Sequence, residues 1–236
     1  MSESSNLALP LLQPSQAQKH VTVNEALVRL DGLTHLTLIS LSQTTPPALP
    51  AEGATYGVPS GAVNAWAGQA GLVAIFANGG WVFVTPQPGW RGWVGDLSAP
   101  VVFDGATWVP GALGISPNGS ASRVEVAEFD HVLSAGATSL TTEQIPQYAM
   151  VLAVTGRITQ AITGTLTSWQ LGVAGSPDRY GNGLGLDAGS WVIGMSGAPV
   201  TYYAQTPVQF TATGGDFAGG TVRLAVHYYI PTVPGM

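Results

Sequence analysis

The chain reads as a mainly β protein: an N-terminal extended arm and one α-helix, a small Trp-rich β-hairpin domain, and a C-terminal jelly-roll β-sandwich. Three observations predict this. Turn formers are abundant, with 31 glycines and 17 prolines among 236 residues. Only one stretch, near the N terminus, carries apolar residues at helical spacing. Beyond Ser122, about eight short apolar segments follow one another between Gly, Pro, Asn or Asp, the rhythm of an antiparallel sandwich.

Residues 1–20 form the expected arm, broken by Pro10 and Pro14 and carrying Lys19, the one lysine of the chain. An arm that reaches out before any fold begins is a docking device more often than a catalytic one. Thr22-Val23-Asn24-Glu25 then has the form of a capping box, which predicts a helix start, with Val21 and Ala26 placed for a hydrophobic staple. Val23, Ala26, Leu27, Leu30 and Leu33 recur at helical spacing, and Gly32 marks the stop. This stripe serves either core packing or a bundle with sister subunits. Leu36–Leu41 tends to alternation and predicts a first strand, while Thr44–Pro50, with three prolines, is a stiff connector.

From Glu52 to about Pro110 the chain predicts short strands and tight turns. Two phrases repeat the same plan, Val73 to Val82 around Asn78-Gly79 and Val101 to Val109 around Asp104-Gly105. Each is an apolar strand, a turn whose residues tolerate positive φ, and a strand carrying a tryptophan. Trp66, Trp81, Trp90, Trp93 and Trp108 fall in this region. They read as core or subunit-interface residues rather than sugar-stacking ones, because tryptophan buries much area per residue. Residues 111–122 read as a linker. Strands are expected near 123–132, 137–144, 148–159, 165–173, 190–195, 199–204, 207–213 and 220–230. The last alternates, with Val222, Leu224, Val226, Tyr228 and Ile230 on one face and Thr221, Arg223, Ala225, His227 and Tyr229 on the other.

Composition narrows the function. Charged residues make up 8% of the chain, against about 25% in ordinary soluble domains. Surface hidden by self-association accounts for so few. A net charge of −6, with the six arginines scattered singly, argues against direct nucleic-acid binding. The absence of cysteine removes disulfides and thiolate metal sites. No secretory signal and no membrane span of about 20 apolar residues is expected.

Chemical motifs are sparse. Asp178 to Asp187 is the most polar, loop-like segment of the second domain. Its spacing does not match an EF-hand and no glutamate closes it, so turn chemistry is preferred to calcium. A sugar-binding loop is the intermediate reading. There Asp178, Arg179, Asn182 and Asp187 would hydrogen-bond hydroxyls, and Trp169, Tyr180, Trp191 and Tyr202 would offer apolar faces. Asp130-His131 followed by Ser134 imitates parts of a triad, but strand neighbours point to opposite faces. No G-x-S-x-G, H-E-x-x-H, P-loop or dinucleotide fingerprint occurs. Glu125 and Glu128 read as solvated strand residues or as residues at a strand bend. The expectation is a non-enzymatic protein with no cofactor and no metal.

The segment Leu9–Leu27, L-P-L-L-Q-P-S-Q-A-Q-K-H-V-T-V-N-E-A-L, resembles the opening signature of a family of phage-derived proteins long catalogued as a domain of unknown function. These occur in prophages and gene transfer agents. Gln16 to Thr22 and Asn24 to Leu27 match closely, while Val23 stands where the family often has a polar residue or histidine. Trp81, Pro86, Gly89, Trp90 and Phe103-Asp104-Gly105 continue the likeness to about Pro110. Residues 123–236 resemble C-terminal modules of the same family at Gly172–Gly175, Asp178–Gly181, Gly214–Phe217 and Val222–Tyr228.

The resemblance implies a head spike or fibre of a phage-like particle, located on the virion. Residues 1–20 would dock, 21–110 attach or form a stalk, and 123–236 bind host capsular polysaccharide. Leu11, Gln13, Gln16, Gln18, Lys19, His20 and Asn24 are the expected docking residues, facing capsid, spike-base or portal-type virion proteins. Other copies of the chain are expected partners, a trimer first and a pentamer second. The competing expectations are a polysaccharide depolymerase and a spike base that binds no sugar.

Overall fold

The computed structural model describes residues 3–12 and 19–235, with Lys19 and His20 described by their backbone alone. Gln13, Gln16 and Gln18 therefore lie outside the described residues. The chain divides into two compact units, Met1–Ala112 and Leu113–Met236.

In the first unit the helix α1 runs Lys19–Leu33, starting three residues before the expected cap, so Thr22 lies inside its first turn and does not cap it. Its inner face carries Asn24, Val28, Asp31 and Gly32. A side chain at Gly32 would meet Ile75 at 2.8 Å, so glycine here permits close approach as well as a stop. The expected apolar stripe points the other way. Val23, Ala26 and Leu30 are exposed, Leu30 at 54%, and only Leu33 packs against the core. Core packing within one chain is thus corrected for most of the stripe.

Residues 3–12 are not an extended arm. Glu3 bridges Pro10 in antiparallel fashion, and the loop between them closes on the buried Asp31. The Ser4 hydroxyl donates to Asp31 Oδ1 at 2.6 Å, and the amides of Leu7 and Asn6 donate at 2.7 and 2.9 Å. A carboxylate with three donors tolerates burial where an unpartnered one would not.

Seven short strands follow: β1 Thr37–Leu38, β2 Thr55–Gly57, β3 Val73–Ala77, β4 Gly80–Val84, β5 Arg91–Val94, β6 Ala99–Phe103 and β7 Trp108–Pro110. They form the sheets β2-β3-β4 and β1-β5-β6-β7, with β1 parallel to β5. Asn78-Gly79 makes the expected two-residue hairpin, both at positive φ, and Glu52 accepts both of their amides at 2.9 Å. The second hairpin has a four-residue loop, Asp104–Thr107, between Phe103 and Trp108. Asp104 accepts the amides of Ala106 and Thr107 at 2.7 Å. Partial burial acts against ionisation, yet those amides hold its carboxyl below the usual range. Trp66 is fully buried, its ring 5.1 Å from Tyr56 and 5.0 Å from Trp81; Trp93 is exposed.

The second unit holds β8 Ala112–Ile115, β9 Ala121–Val132, β10 Thr138–Ile145, β11 Met150–Gly164, β12 Ser168–Val173, β13 Ser176–Leu184, β14 Trp191–Thr201, β15 Thr206–Thr213 and β16 Phe217–Pro231. One sheet has the order β14-β11-β16-β9-β8 and the other β10-β15-β12-β13. The eight strands β9–β16 thus make two four-stranded antiparallel sheets whose strand order is that of a jelly roll, with β8 added at one edge. Part of the expected linker, residues 112–115, is therefore a strand. Residues 190–204, expected as two strands, hold the single strand β14. The expected loop over 178–187 is mostly strand β13, which the sequence reading missed: its glycines and charges hide the alternation.

The core of this unit includes Val151, Ile158, Trp169, Leu171, Tyr180, Val208, Phe210, Val222, Leu224 and Val226. The alternation expected for β16 is borne out, with Val222, Leu224, Val226 and Tyr228 inside.

Candidate functional site

The jelly roll presents two sheet faces of opposite character. On the β10-β15-β12-β13 sheet, Ser139, Phe210, Trp169 and Leu171 turn inward. Many of their outward-facing strand neighbours are neutral hydrogen-bonding residues, with the exposed Leu140 opposite Gln209 and the exposed Asp178 and Arg179 on β13 as exceptions. Register places Thr138 opposite Thr211, and Thr211 opposite Gln170. Gln170 Nε2 donates to Asn182 Oδ1 at 3.2 Å, so the row Thr138–Thr211–Gln170–Asn182 crosses all four strands. Gln209, opposite Gly172, donates to Thr211 Oγ1 at 2.9 Å. Neighbouring strands are about 4.8 Å apart. Hydroxyl and amide groups therefore recur along this face at a spacing of the order of one sugar ring.

The eight expected sugar-contact residues are divided by the fold. Asp178, Arg179 and Asn182 are exposed on β13, and Arg179 donates to the Ser176 hydroxyl at 3.0 Å. Asp187 is exposed in the turn before β14, and Trp191 is exposed on β14, in the opposite sheet. Trp169, Tyr180 and Tyr202 are buried, which corrects their assignment as sugar platforms. Trp169 donates its indole N–H to the Gly185 carbonyl at 2.7 Å. The Tyr180 and Tyr202 hydroxyls share a 2.8 Å hydrogen bond in the core; burial first, then that bond, raises the Tyr180 pKa far above its ordinary value.

The exposed aromatic of this segment is the next residue, Tyr203, 75% exposed against 8% for Tyr202. It meets the exposed Tyr148 edge-to-face, ring centroids 6.4 Å apart. The pair sits where the β10–β11 and β14–β15 connections touch: the Tyr148 amide donates to the Tyr202 carbonyl at 2.6 Å, and Gln147 Nε2 to the Tyr203 carbonyl at 2.9 Å. Tyr148 has φ +66°, a left-handed conformation costly for an aromatic residue and maintained by these bonds. Neither tyrosine was legible as a site residue, because parity in a short irregular segment depends on where the strand ends.

The triad-like residues are separated as expected. Asp130 is exposed and accepts Arg223 Nε on Oδ1 at 2.7 Å and Nη2 on Oδ2 at 2.8 Å. His131 is buried, its Nε2 2.8 Å from the Ser139 hydroxyl, which itself accepts the Ser134 amide. Burial holds the His131 pKa below its usual value, against the opposing pull of Glu143. Glu128 is exposed, but Glu125 is half-buried and accepts the Tyr228 hydroxyl at 2.7 Å. Of the expected docking residues, Asn24 clasps the backbone of Leu12, accepting its amide at 2.9 Å and donating to its carbonyl at 3.0 Å. Leu11 lines a groove with Val28 and Ile75. Lys19 and His20 lie in the first turn of α1. Among the described residues no group of three or more His, Asp or Glu is placed to hold a metal, and no helix is long and apolar enough to cross a membrane.

Residues 23–109 match a family described as “Protein of unknown function (DUF2793)”. No curated protein matches the chain. Among solved structures, a chain of “Cyanophage Pam1 capsid asymmetric unit” is 24% identical at a TM-score of 0.38, covering 47% of this chain and 86% of that one. A chain of “Bacillus endospore appendages form a novel family of disulfide-linked pili” is 15% identical at a TM-score of 0.24, covering 50% of this chain and 97% of that one.

Proposed function

We propose that this protein is a non-enzymatic structural appendage of a phage-like particle, a head spike or fibre. Its first unit attaches to capsid, spike-base or portal-type proteins, and its jelly roll contacts host-cell surface polysaccharide. The observation that carries the glycan reading is the uncharged row Thr138–Thr211–Gln170–Asn182. Hydroxyls and amides in line offer donors and acceptors to a polyhydroxylated chain without the cost of desolvating charge. The Tyr148–Tyr203 pair adds exposed aromatic rings of the kind that stack on sugar. Attachment by the first unit is supported by the likeness of Leu9–Leu27 to the phage-protein signature. Single weak sites of this kind gain strength through multivalency on a particle.

The test is binding of the full-length protein to purified capsular polysaccharide and to encapsulated cells. The Q170A/N182A variant is expected to lose at least about tenfold in apparent affinity, roughly one or two hydrogen bonds' worth. Y148A/Y203A is expected to weaken binding similarly. Absence of binding by the wild-type protein overturns the glycan reading and favours a spike base. Release of reducing ends on incubation with capsule favours a depolymerase.

A further inference from the structure

The second sheet face of the jelly roll is unlike the first. Register sets three rows across β14, β11, β16 and β9: Trp191–Arg157–Arg223–Asp130, Ile193–Thr155–Ala225–Glu128, and Met195–Ala153–His227–Val126. Trp191, Ile193 and Met195 are 64%, 61% and 67% exposed and form a ridge along β14. Beside it, Thr155, Gly156 and Ala225 are small and leave a groove of about 590 Å³. Glu128 closes the groove on β9, and Val124 and Val126 are exposed on that same strand. Large apolar side chains standing together on one open sheet mark an interaction surface.

Charge is also divided across this face. Arg157 lies beside the ridge on β11, and Glu128 lies on β9, two strands away. Among the described residues neither has an ion-pair partner, although Arg157 donates to the Gly189 carbonyl at 3.1 Å and Glu128 lies in the field of Arg223, which is paired with Asp130. The face thus has a ridge with a cation beside it, and a strand with exposed valines and an anion, neither charge being in a salt bridge. Those two halves carry opposite charge, and, held on different strands of one sheet, they cannot meet within one chain.

We infer that the β14-β11-β16-β9 face binds a second copy of this chain, the Trp191–Ile193–Met195 ridge of one copy entering the groove of the next and Arg157 meeting Glu128 across the contact. This adds self-association to the proposed appendage and is independent of glycan binding. A protein with 8% charged residues needs such hidden area to remain soluble.

Full-length protein examined by light scattering on a sizing column tests the assignment. Wild type is expected to run as an oligomer, and I193D, an exposed position, as a monomer with unchanged far-UV circular dichroism. R157E and E128R are each expected to shift the equilibrium toward monomer, and R157E/E128R to restore it. That rescue separates interface loss from misfolding. Oligomers unaffected by all three changes overturn this face while leaving self-association intact. A wild type monomeric at every concentration overturns both.

Discussion

Asp31 shows how a single side chain decides the use of a segment. It lies on α1 off the apolar stripe, and only the folded chain shows that Ser4, Asn6 and Leu7 converge on it. D31A is expected to destabilise the first unit by about 3 kcal/mol, since hydrogen bonds to a charged group are the strong ones. Hydrogen exchange at the Asn6 and Leu7 amides is expected to speed up; unchanged protection would contradict the clasp. In the second unit, Y180F is expected to cost about 1–2 kcal/mol by leaving the Tyr202 hydroxyl unpartnered, and Y180F/Y202F less than twice that. His131 governs the acid side. Its folded pKa is below the unfolded value of 6.5, so the unfolded chain binds the proton first and stability falls as pH drops below that value. H131Q, read by urea unfolding between pH 7 and 5, is expected to flatten that fall. On the alkaline side, Tyr180 has a raised folded pKa, so stability is full below pH 10 and declines above it.

Elements were legible where local chemistry suffices. Asn78-Gly79 specifies its own hairpin, because both residues accept positive φ and two such residues close a tight turn. β16 was legible because its period-two pattern extends over many residues. The helix was legible in kind but not in orientation: periodicity reports that one face is apolar, not which neighbour it meets. β13 was not legible, since its identity depends on pairing with β12 and on the close approach of β14. At that crossing a side chain on Gly194 would stand 2.1 Å from the Tyr180 carbonyl oxygen. G194A is expected to cost about 3 kcal/mol in denaturant unfolding, an overpacking penalty against backbone. G197A, three residues on with open space around it, is expected to stay within about 0.5 kcal/mol of wild type.

At the scale of the whole molecule, two compact units with separate cores lead to the expectation that D31A shifts the unfolding of residues 3–112 and G194A that of residues 113–235. Hydrogen exchange resolved along the chain distinguishes this from a single cooperative transition. The sequence by itself determined the fold class, the Asn78-Gly79 turn, the jelly-roll character of the second unit and the scarcity of charge, because periodicity, turn chemistry and composition act locally or sum over the chain. Tertiary structure alone decided which aromatic residues are core and which are surface. It exchanged Tyr202 for Tyr203, buried Trp169 and Tyr180, set Trp191 apart from Asn182 on opposite sheets, and turned residues 3–12 from a reaching arm into a loop held by Asp31. The reason is geometric: a site or an interface is made by residues from different strands sharing one face, and the assignment of face follows from strand order and bulges that no local pattern encodes.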